Sequence, residues 1–413
     1  MRRVLLAACL LTVAATVIST ASGPVQAPAP GVGLAPARNV IVITMDGMRW
    51  QELFDGADRS LMGKDEKAIV ESSSYKRFWR ATIDGRRAAM LPFFWSVVAR
   101  DGQVFGDPAH QSVAHVTNGV WFSYPGYSEM LAGVADPRVD SNDKIPNPNV
   151  TVLEWLSRRP GFEGRVEAFG AWDVLPFILN AGRSRLRIGD GYPPAPDPKT
   201  DRERAINDLA DDLPLLWAGA PLDAPIMHAA LESLRTRRPR VLYVMLGETD
   251  EWAHEGRYDW YLDAAYRSDR FIRRMWETAQ AMPEYTKQTA LVLATDHGRG
   301  ATASDWTDHG RKVPAAERTW MAVMGPGTEA LGLRQGVTVA NAQIAATIAA
   351  LVGEDFRTGV PAAAPALPGV TGGARAPAAF ALPGKTVTPV SAAPALPGMP
   401  AVTAPPAASS PKR

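Results

Sequence analysis

Cysteine is almost missing from this chain: Cys9 is the only one in 413 residues. Cys9 lies close to the N-terminus, so the rest of the chain can form neither disulfides nor thiolate metal sites. Neither charge sign is in surplus, with 44 lysines and arginines against 43 aspartates and glutamates. No global field therefore recruits nucleic acid or an anionic membrane, and no nucleic-acid partner is implied beyond nucleotides as substrates. Long apolar runs are also scarce. The one at the N-terminus is too short for a spanning helix, and no transmembrane span is expected in the mature chain. Histidine occurs only six times, so the places where it does occur carry information.

The opening "MRRVLLAACLLTVAATVISTASGPVQA" places Arg2 and Arg3 before an apolar run that ends in small residues. That order is the pattern of a cleavable secretory signal, with cleavage expected after Ala27. Cys9 comes directly after Leu6-Ala7-Ala8 in imitation of a lipoprotein box, but too little apolar sequence precedes it to insert. The expected compartment is the periplasm or the exterior, where exchangeable metals are available. Residues 28–37 read as a Pro/Ala/Gly linker. Residues 357–413 repeat "ALPG" and "APALPG" and hold too little apolar bulk to offset chain entropy, so they read as a disordered tail.

Between these ends the pattern alternates. "NVIVITMDG" (39–47), "RVEAFGAW" (165–172), "RVLYVMLGETD" (240–250) and "TALVLATDHG" (289–298) are continuous runs suited to strands buried on both faces, with "TWMAVMGPG" (319–327) a further one. Helical patterns at 151–158, 259–282 and 339–352 lie between them. This alternation predicts an α/β fold: a three-layer α/β/α sandwich with a mostly parallel central sheet over residues 38–356. The polar, proline-punctuated stretch 184–239 reads as a cap insertion over the active face.

Ligands of open parallel sheets sit outside the carboxyl ends of the strands. The polar residues just past the predicted strands are Asp46, then Asp250 with His254, then Asp296 with His297, and shortly afterwards His309. Imidazole and carboxylate are the donors zinc accepts without thiolates, and six of them suit two divalent ions, Zn²⁺ or Mn²⁺. Two ions are the usual clamp for phosphoryl transfer. Singly, each element has an ordinary explanation, such as an Asp-Gly turn or a carboxylate at a helix start. The two near-copies "ATDHGRG" and "WTDHGRK" separate by context: the first comes after a strand and supplies Asp296 and His297, while the second reads as a loop and supplies only His309.

In this order the residues resemble the alkaline phosphatase superfamily, and most closely its branch of nucleotide pyrophosphatases/phosphodiesterases and phosphonoacetate hydrolases. The resemblance spans roughly 39–352 and implies an alkaline phosphatase-like fold. It also implies two metal sites, one of Asp46, Asp296 and His297 and one of Asp250, His254 and His309. The family's nucleophile motif resembles "WFSYPGYSEMLAG" (121–133) and assigns the nucleophile to Ser123, which could equally be an N-cap serine. The family's asparagine after the proline is replaced by Gly126, and Asn118 is the nearby candidate for that substrate-binding donor. Tyr127 stands where a sulfatase signature needs arginine, which argues against formylglycine chemistry. No arginine matches the one that monoesterases aim at phosphate, although Arg49, Arg299 and Arg311 lie near ligands in sequence.

The resemblance thus implies a secreted, metal-dependent phosphoric ester hydrolase, of phosphatase or phosphodiesterase type, acting through a phosphoseryl intermediate. A phosphonate hydrolase, a mutase-like phosphotransferase or an inactive metal-binding scaffold are the alternatives. Trp121, Phe122, Tyr124 and Tyr127 flank Ser123 and either stack on a substrate or pack in the core. Oligomeric state is not legible.

Overall fold

The computed structural model describes residues 34–370; the signal-like segment, most of the 28–37 linker and the chain from 371 onward lie outside the described residues. The strands, in chain order, are β1 (Asn39–Met45), β2 (Gly102–Phe105), β3 (Val113–His115), β4 (Val166–Gly170), β5 (Arg187–Gly189), β6 (Val241–Leu246), β7 (Thr289–Ala294), β8 (Arg318–Thr319), β9 (Met321–Met324), β10 (Gly332–Leu333) and β11 (Thr338–Ala340). Eight of them form one sheet in the order β10-β2-β9-β7-β1-β6-β4-β5, and β11-β3-β8 form a small second sheet. β1 pairs in parallel with both β6 and β7, and β4 pairs in parallel with β6 and β5. β9 pairs antiparallel with both β7 and β2. It is therefore the one reversed strand of the large sheet.

The five long runs form strands because their apolar side chains are buried on both faces. Ile41, Ile43 and Met45 of β1 join Leu242, Val244, Leu291 and Leu293 in one core cluster. Val40 and Val42, pointing the other way, join Tyr243, Met245 and Val292 in a second. Helices Trp50–Asp55, Asp223–Thr236 and Tyr258–Gln280 cover the first face. Helices Ser123–Ala132, Val152–Ser157 and Gln343–Leu351 cover the second. This is the expected three-layer sandwich. Each fully buried aliphatic side chain contributes roughly 1.5–3 kcal/mol, which makes the sheet a rigid platform for whatever sits at its edge. No helix among the described residues is long and apolar enough to cross a membrane.

Two boundaries differ from the sequence expectation. The stretch 184–239 is largely part of the sandwich and not a separate insertion, although its Ala220 does line the cavity at the strand ends. β5 extends the sheet beside β4, and helix Asp223–Thr236 buries Ile226, Leu231 and Leu234 against it. A strand of three residues leaves no periodicity to detect, and the prolines lie in the loops around it. The tail does not begin at 357 either. Phe356–Thr358 form a 3-10 turn, Ala363, Leu367 and Val370 are buried, and Val370 bridges to Thr328. In addition, the expected helix at 339–352 divides into β11 and a helix starting at Gln343.

Candidate active site

β7, β1 and β6 are adjacent and parallel, so their carboxyl ends open on the same edge. Asp46 comes just after β1, Asp296 and His297 come just after β7, and helix Glu248–His254 starts just past β6 and carries Asp250 and His254. Gly47 makes this convergence possible. It adopts a left-handed φ of 55°, and a Cβ there would overlap the Asp250 carboxylate. Its N–H donates to Asp296 Oδ1 at 3.0 Å.

The histidines have their tautomers fixed from behind. A carbonyl only accepts, so His297 Nδ1, 2.9 Å from the Gly298 carbonyl, carries the proton and leaves Nε2 as a bare lone pair. His309 is held the same way, Nδ1 lying 3.0 Å from the Trp121 carbonyl. His297 Nε2 then faces Asp46 Oδ1 at 3.4 Å, Asp296 Oδ2 at 3.4 Å and Asp250 Oδ1 at 3.8 Å. His254 Nε2 lies 3.0 Å from Asp250 Oδ2 and 3.2 Å from His309 Nε2. All six sequence-predicted ligands are thus brought together. Asp46, Asp296 and His297 form one group whose donor atoms lie within 4.8 Å of one another, and Asp250, His297 and His309 form another, so that His297 stands between the two.

Lone pairs that face carboxylates across these distances repel one another unless a cation lies among them. Asp296 Oδ2 is buried with no hydrogen-bond partner, the kind of orphan that a bound cation resolves. Burial first, and then Asp250, push the Asp46 carboxyl well above the ordinary range. Burial and then Asp46 do the same to Asp296. Burial acts upward on Asp250 as well, but Arg299 and His254 outweigh it and hold that carboxyl well below its usual value. Burial, together with His297, presses the His309 imidazole down to about 2. The donor set, free of sulfur and rich in carboxylate and neutral imidazole, fits divalent zinc or manganese.

Ser123 opens helix Ser123–Ala132 but does not cap it: the cap position is Phe122, without a side-chain hydrogen bond. Its hydroxyl is therefore not spent on the helix, and Oγ hydrogen-bonds toward the site, 3.2 Å from His297 Nε2 and 3.5 Å from Asp46 Oδ1. The helix comes so close to the metal-type loop that a Cβ on Gly126 would sit 2.6 Å from the Asp296 carbonyl oxygen, so no asparagine side chain fits at this position. Tyr127 donates to Asp46 Oδ2 at 3.1 Å and is fully buried. The other flanking aromatics are also occupied with the frame. Phe122 packs edge-on against His309 with centroids 5.6 Å apart, Tyr124 donates to the Ile145 carbonyl, and Trp121 holds a left-handed φ of 56° that presents its carbonyl to His309.

Asn118 does not reach this site as a donor. Its Nδ2 and backbone N–H both donate to Glu129, and its Oδ1 accepts from Val120 and Trp121 N–H. It shapes the approach to Ser123 instead. Glu129 is fully buried and takes N–H and O–H donors from Thr117 and Asn118 on both oxygens, yet burial still pushes its carboxyl up to about 7. Glu129→Gln turns one acceptor into an NH₂ that faces these donors and should cost about 1–3 kcal/mol in a denaturant melt. A loss near zero would show that the loop does not depend on this anchor.

Of the arginines flagged by sequence, two are engaged elsewhere and none lines the cavity beside Ser123. Arg49 is 1% exposed and forked onto Glu52. Arg299 is paired with Asp250 and donates to the Thr307 carbonyl, while Arg311 is exposed. The residue missed by sequence is Asn142. It lines a cavity of about 180 Å³ with Asp46, Ser123, Asp250, His254 and His309. Its Oδ1 accepts from Tyr124 N–H at 2.9 Å, which leaves the NH₂ as an uncommitted donor beside Ser123. It sits in the irregular 133–151 segment, where no periodicity marks it.

Residues 57–357 match the family model of type I phosphodiesterase / nucleotide pyrophosphatase. The chain belongs to that family. It is accordingly a phosphoric ester hydrolase, and the matched span of the phosphodiesterase model includes Ser123 and every candidate ligand above except Asp46. No curated protein matches the chain in sequence comparison. Among solved structures it is similar to the lipoteichoic acid synthase LtaP from Listeria monocytogenes, at 9% identity and a TM-score of 0.49 over 78% of this chain and 73% of that one. It is also similar to the alkaline phosphatase of the Antarctic bacterium TAB5, at 12% identity and a TM-score of 0.43 over 78% and 99%. A third is a protein of the alkaline phosphatase superfamily from Vibrio parahaemolyticus, at 12% identity and a TM-score of 0.44 over 78% and 69%.

Proposed function

We propose that this phosphodiesterase-family chain cleaves phosphodiesters by a double displacement at Ser123, beside a site that holds two divalent cations. The observation that carries the reading is the Ser123 hydroxyl, hydrogen-bonded at 3.2 Å to His297 Nε2 at the meeting point of the ligand groups. Asp46, Asp296 and His297 would hold one cation, and Asp250, His254 and His309 the other. When bound, such cations supply positive charge that makes a serine hydroxyl more acidic and offsets charge on phosphoryl oxygens. Ser123 Oγ gives up its proton to solvent and bonds to phosphorus as the bond to the leaving oxygen breaks, and the departing alkoxide takes a proton from water. Water then cleaves the phosphoserine, returning Ser123 and releasing a monoester. The secreted location remains part of this proposal and rests on the signal-like N-terminus.

A diester is favoured over a monoester by the cavity's lining: among the described residues, no lysine or arginine lines it. A dianionic monoester is usually gripped by bidentate arginine, and a monoanionic diester does not need that grip. The zinc-loaded protein should therefore show a higher kcat/KM on bis-p-nitrophenyl phosphate than on p-nitrophenyl phosphate, and none on p-nitrophenyl sulfate. Turnover of the monoester or the sulfate alone would overturn the reading.

Asn142 supplies the donor that Gly126 cannot. Its amide hydrogens face the same cavity as Ser123 and would bond a non-bridging phosphoryl oxygen. Asn142→Asp retains the oxygen that caps Tyr124 N–H and replaces the donor with an acceptor. It should lower kcat by about 10²–10³-fold, the usual consequence of losing an oxyanion donor. If the role were only to cap the helix, Asn142→Asp would resemble the parent and Asn142→Ala would be the weaker variant.

A further inference from the structure

Helix Glu248–His254 carries two of the six candidate ligands, yet nothing of its own holds its start. The cap position is Gly247, which has no side chain to cap with. The acceptors come instead from a residue 25 positions earlier, at the start of helix Asp223–Thr236. Asp223 Oδ1 accepts the Gly247 N–H at 2.7 Å, and Oδ2 accepts the Glu248 N–H at 3.2 Å. Glu248 answers in the opposite direction, its Oε1 accepting the Asp223 N–H at 2.9 Å. Each helix start is thus capped by the other's carboxylate. Arg267 forks onto both Glu248 oxygens, at 3.1 and 2.6 Å, and Trp252 Nε1 donates to Oε2 at 3.1 Å. Thr249, in the same turn, donates to the Asp46 carbonyl at 2.5 Å. Asp223 and Glu248 are each 1% exposed, and neither lines the cavity beside Ser123. Two carboxylates in one buried pocket are costly: burial, and then Glu248, push the Asp223 carboxyl up to about 8. Apolar groups of similar volume often serve stability as well or better. What this arrangement adds is placement, because bonds running both ways fix one helix start against the other.

We propose that Asp223 and Glu248 are positioning residues: locked together and braced by Arg267, they set where Asp250 and His254 stand relative to Asp46, Asp296 and His297. The proposal rests on the two-cation reading above. It gives helix Asp223–Thr236 a part in the reaction, although no residue of that helix lines the cavity.

The test is zinc binding to the chelator-stripped full chain, followed by calorimetry. Asp223→Ala removes both acceptors and should weaken one of the two cations by about 10–100-fold, the usual cost of losing a group that orients a ligand. The other cation should bind as in the parent, and Asp223→Asn, which keeps one acceptor, should fall between. Asp269→Ala is the control, because Asp269 is equally buried and accepts two backbone N–H groups, of Phe93 and Phe94, at 2.8 Å each. It should lower the melting temperature comparably and leave both cations at parent affinity. Parent affinity for both cations in Asp223→Ala, or an equal loss of both, overturns the proposal. Should Asp223→Ala not fold, Arg267→Lys keeps the charge but loses the fork, and it should show the same selective loss, judged by the same criteria. If the parent takes up fewer than two cations, the two-cation reading fails, and hydrogen exchange of residues 247–254 in the stripped protein decides the positioning role. Exchange there should quicken in Asp223→Ala and not in Asp269→Ala; unchanged exchange in Asp223→Ala overturns the role.

Discussion

Ser123→Ala is expected to lower kcat/KM toward bis-p-nitrophenyl phosphate by at least about 10³-fold, since an enzyme that loses its nucleophile keeps only what binding and electrostatics supply. The substitution is clean for a structural reason. Ser123 is the first residue of its helix and not its cap, and its Oγ touches only His297 and Asp46. Alanine in the first turn is well tolerated, so the melting temperature should barely move. Metal measured by mass spectrometry should stay near two equivalents. A variant that turns over normally would remove Ser123 from the mechanism, and one that loses both metal and activity would make it a ligand-shell residue instead.

Chelation should have the next largest effect. Removing the cations should abolish turnover and lower the melting temperature by roughly 10 °C. That figure corresponds to about 4 kcal/mol for a ligand present at a thousand times its Kd. The pH dependence of the stripped protein gives a second, independent signature. Asp46 and Asp296 carry folded-state pKa values raised above 3.8, so the folded state holds protons that the unfolded chain has released. Their contribution is fully present below about pH 4 and is lost as pH rises through the folded values. Asp250, held below 3.8, runs the other way and loses its contribution as pH falls. With two raised carboxyls against one lowered, the stripped protein should lose stability between pH 4 and neutrality relative to the metal-loaded protein. Parallel melting curves for the two forms across that range would show that the carboxylates are not coupled through a cation site.

What could be read from sequence came from burial. A strand covered on both faces has to be apolar throughout, so β1, β4, β6 and β7 stood out, and polar residues directly past their ends were visible against that background. Asp46, Asp250, Asp296 and His297 were legible for this reason. The edge strands β5 and β10 have only three and two residues, too few to show a period. Asn118 attracted attention by its closeness to Ser123 in sequence, but Glu129 occupies its amide. Asn142 is remote in sequence and reaches the cavity only because Tyr124 N–H fixes its oxygen. The segment after 357 misled by composition. Alanine and proline bury little, but Ala363 and Leu367 fill gaps against the second core cluster all the same.

The reversal of β9 has a consequence for how this site can change over time. Because β9 runs against β7, the chain that leaves β7 at the open edge re-enters the sheet from that same edge, with no crossover beneath it. The span 295–320 is therefore a bridge anchored at both ends. One footing holds Asp296 and His297, and His309 hangs mid-span over the other half of the site. Its middle, between His297 and β8, can be lengthened, shortened or exchanged without shifting the register of any strand. The spacing between the two halves of the centre is thus adjustable by insertion and deletion alone, while the platform that aims the other ligands stays fixed.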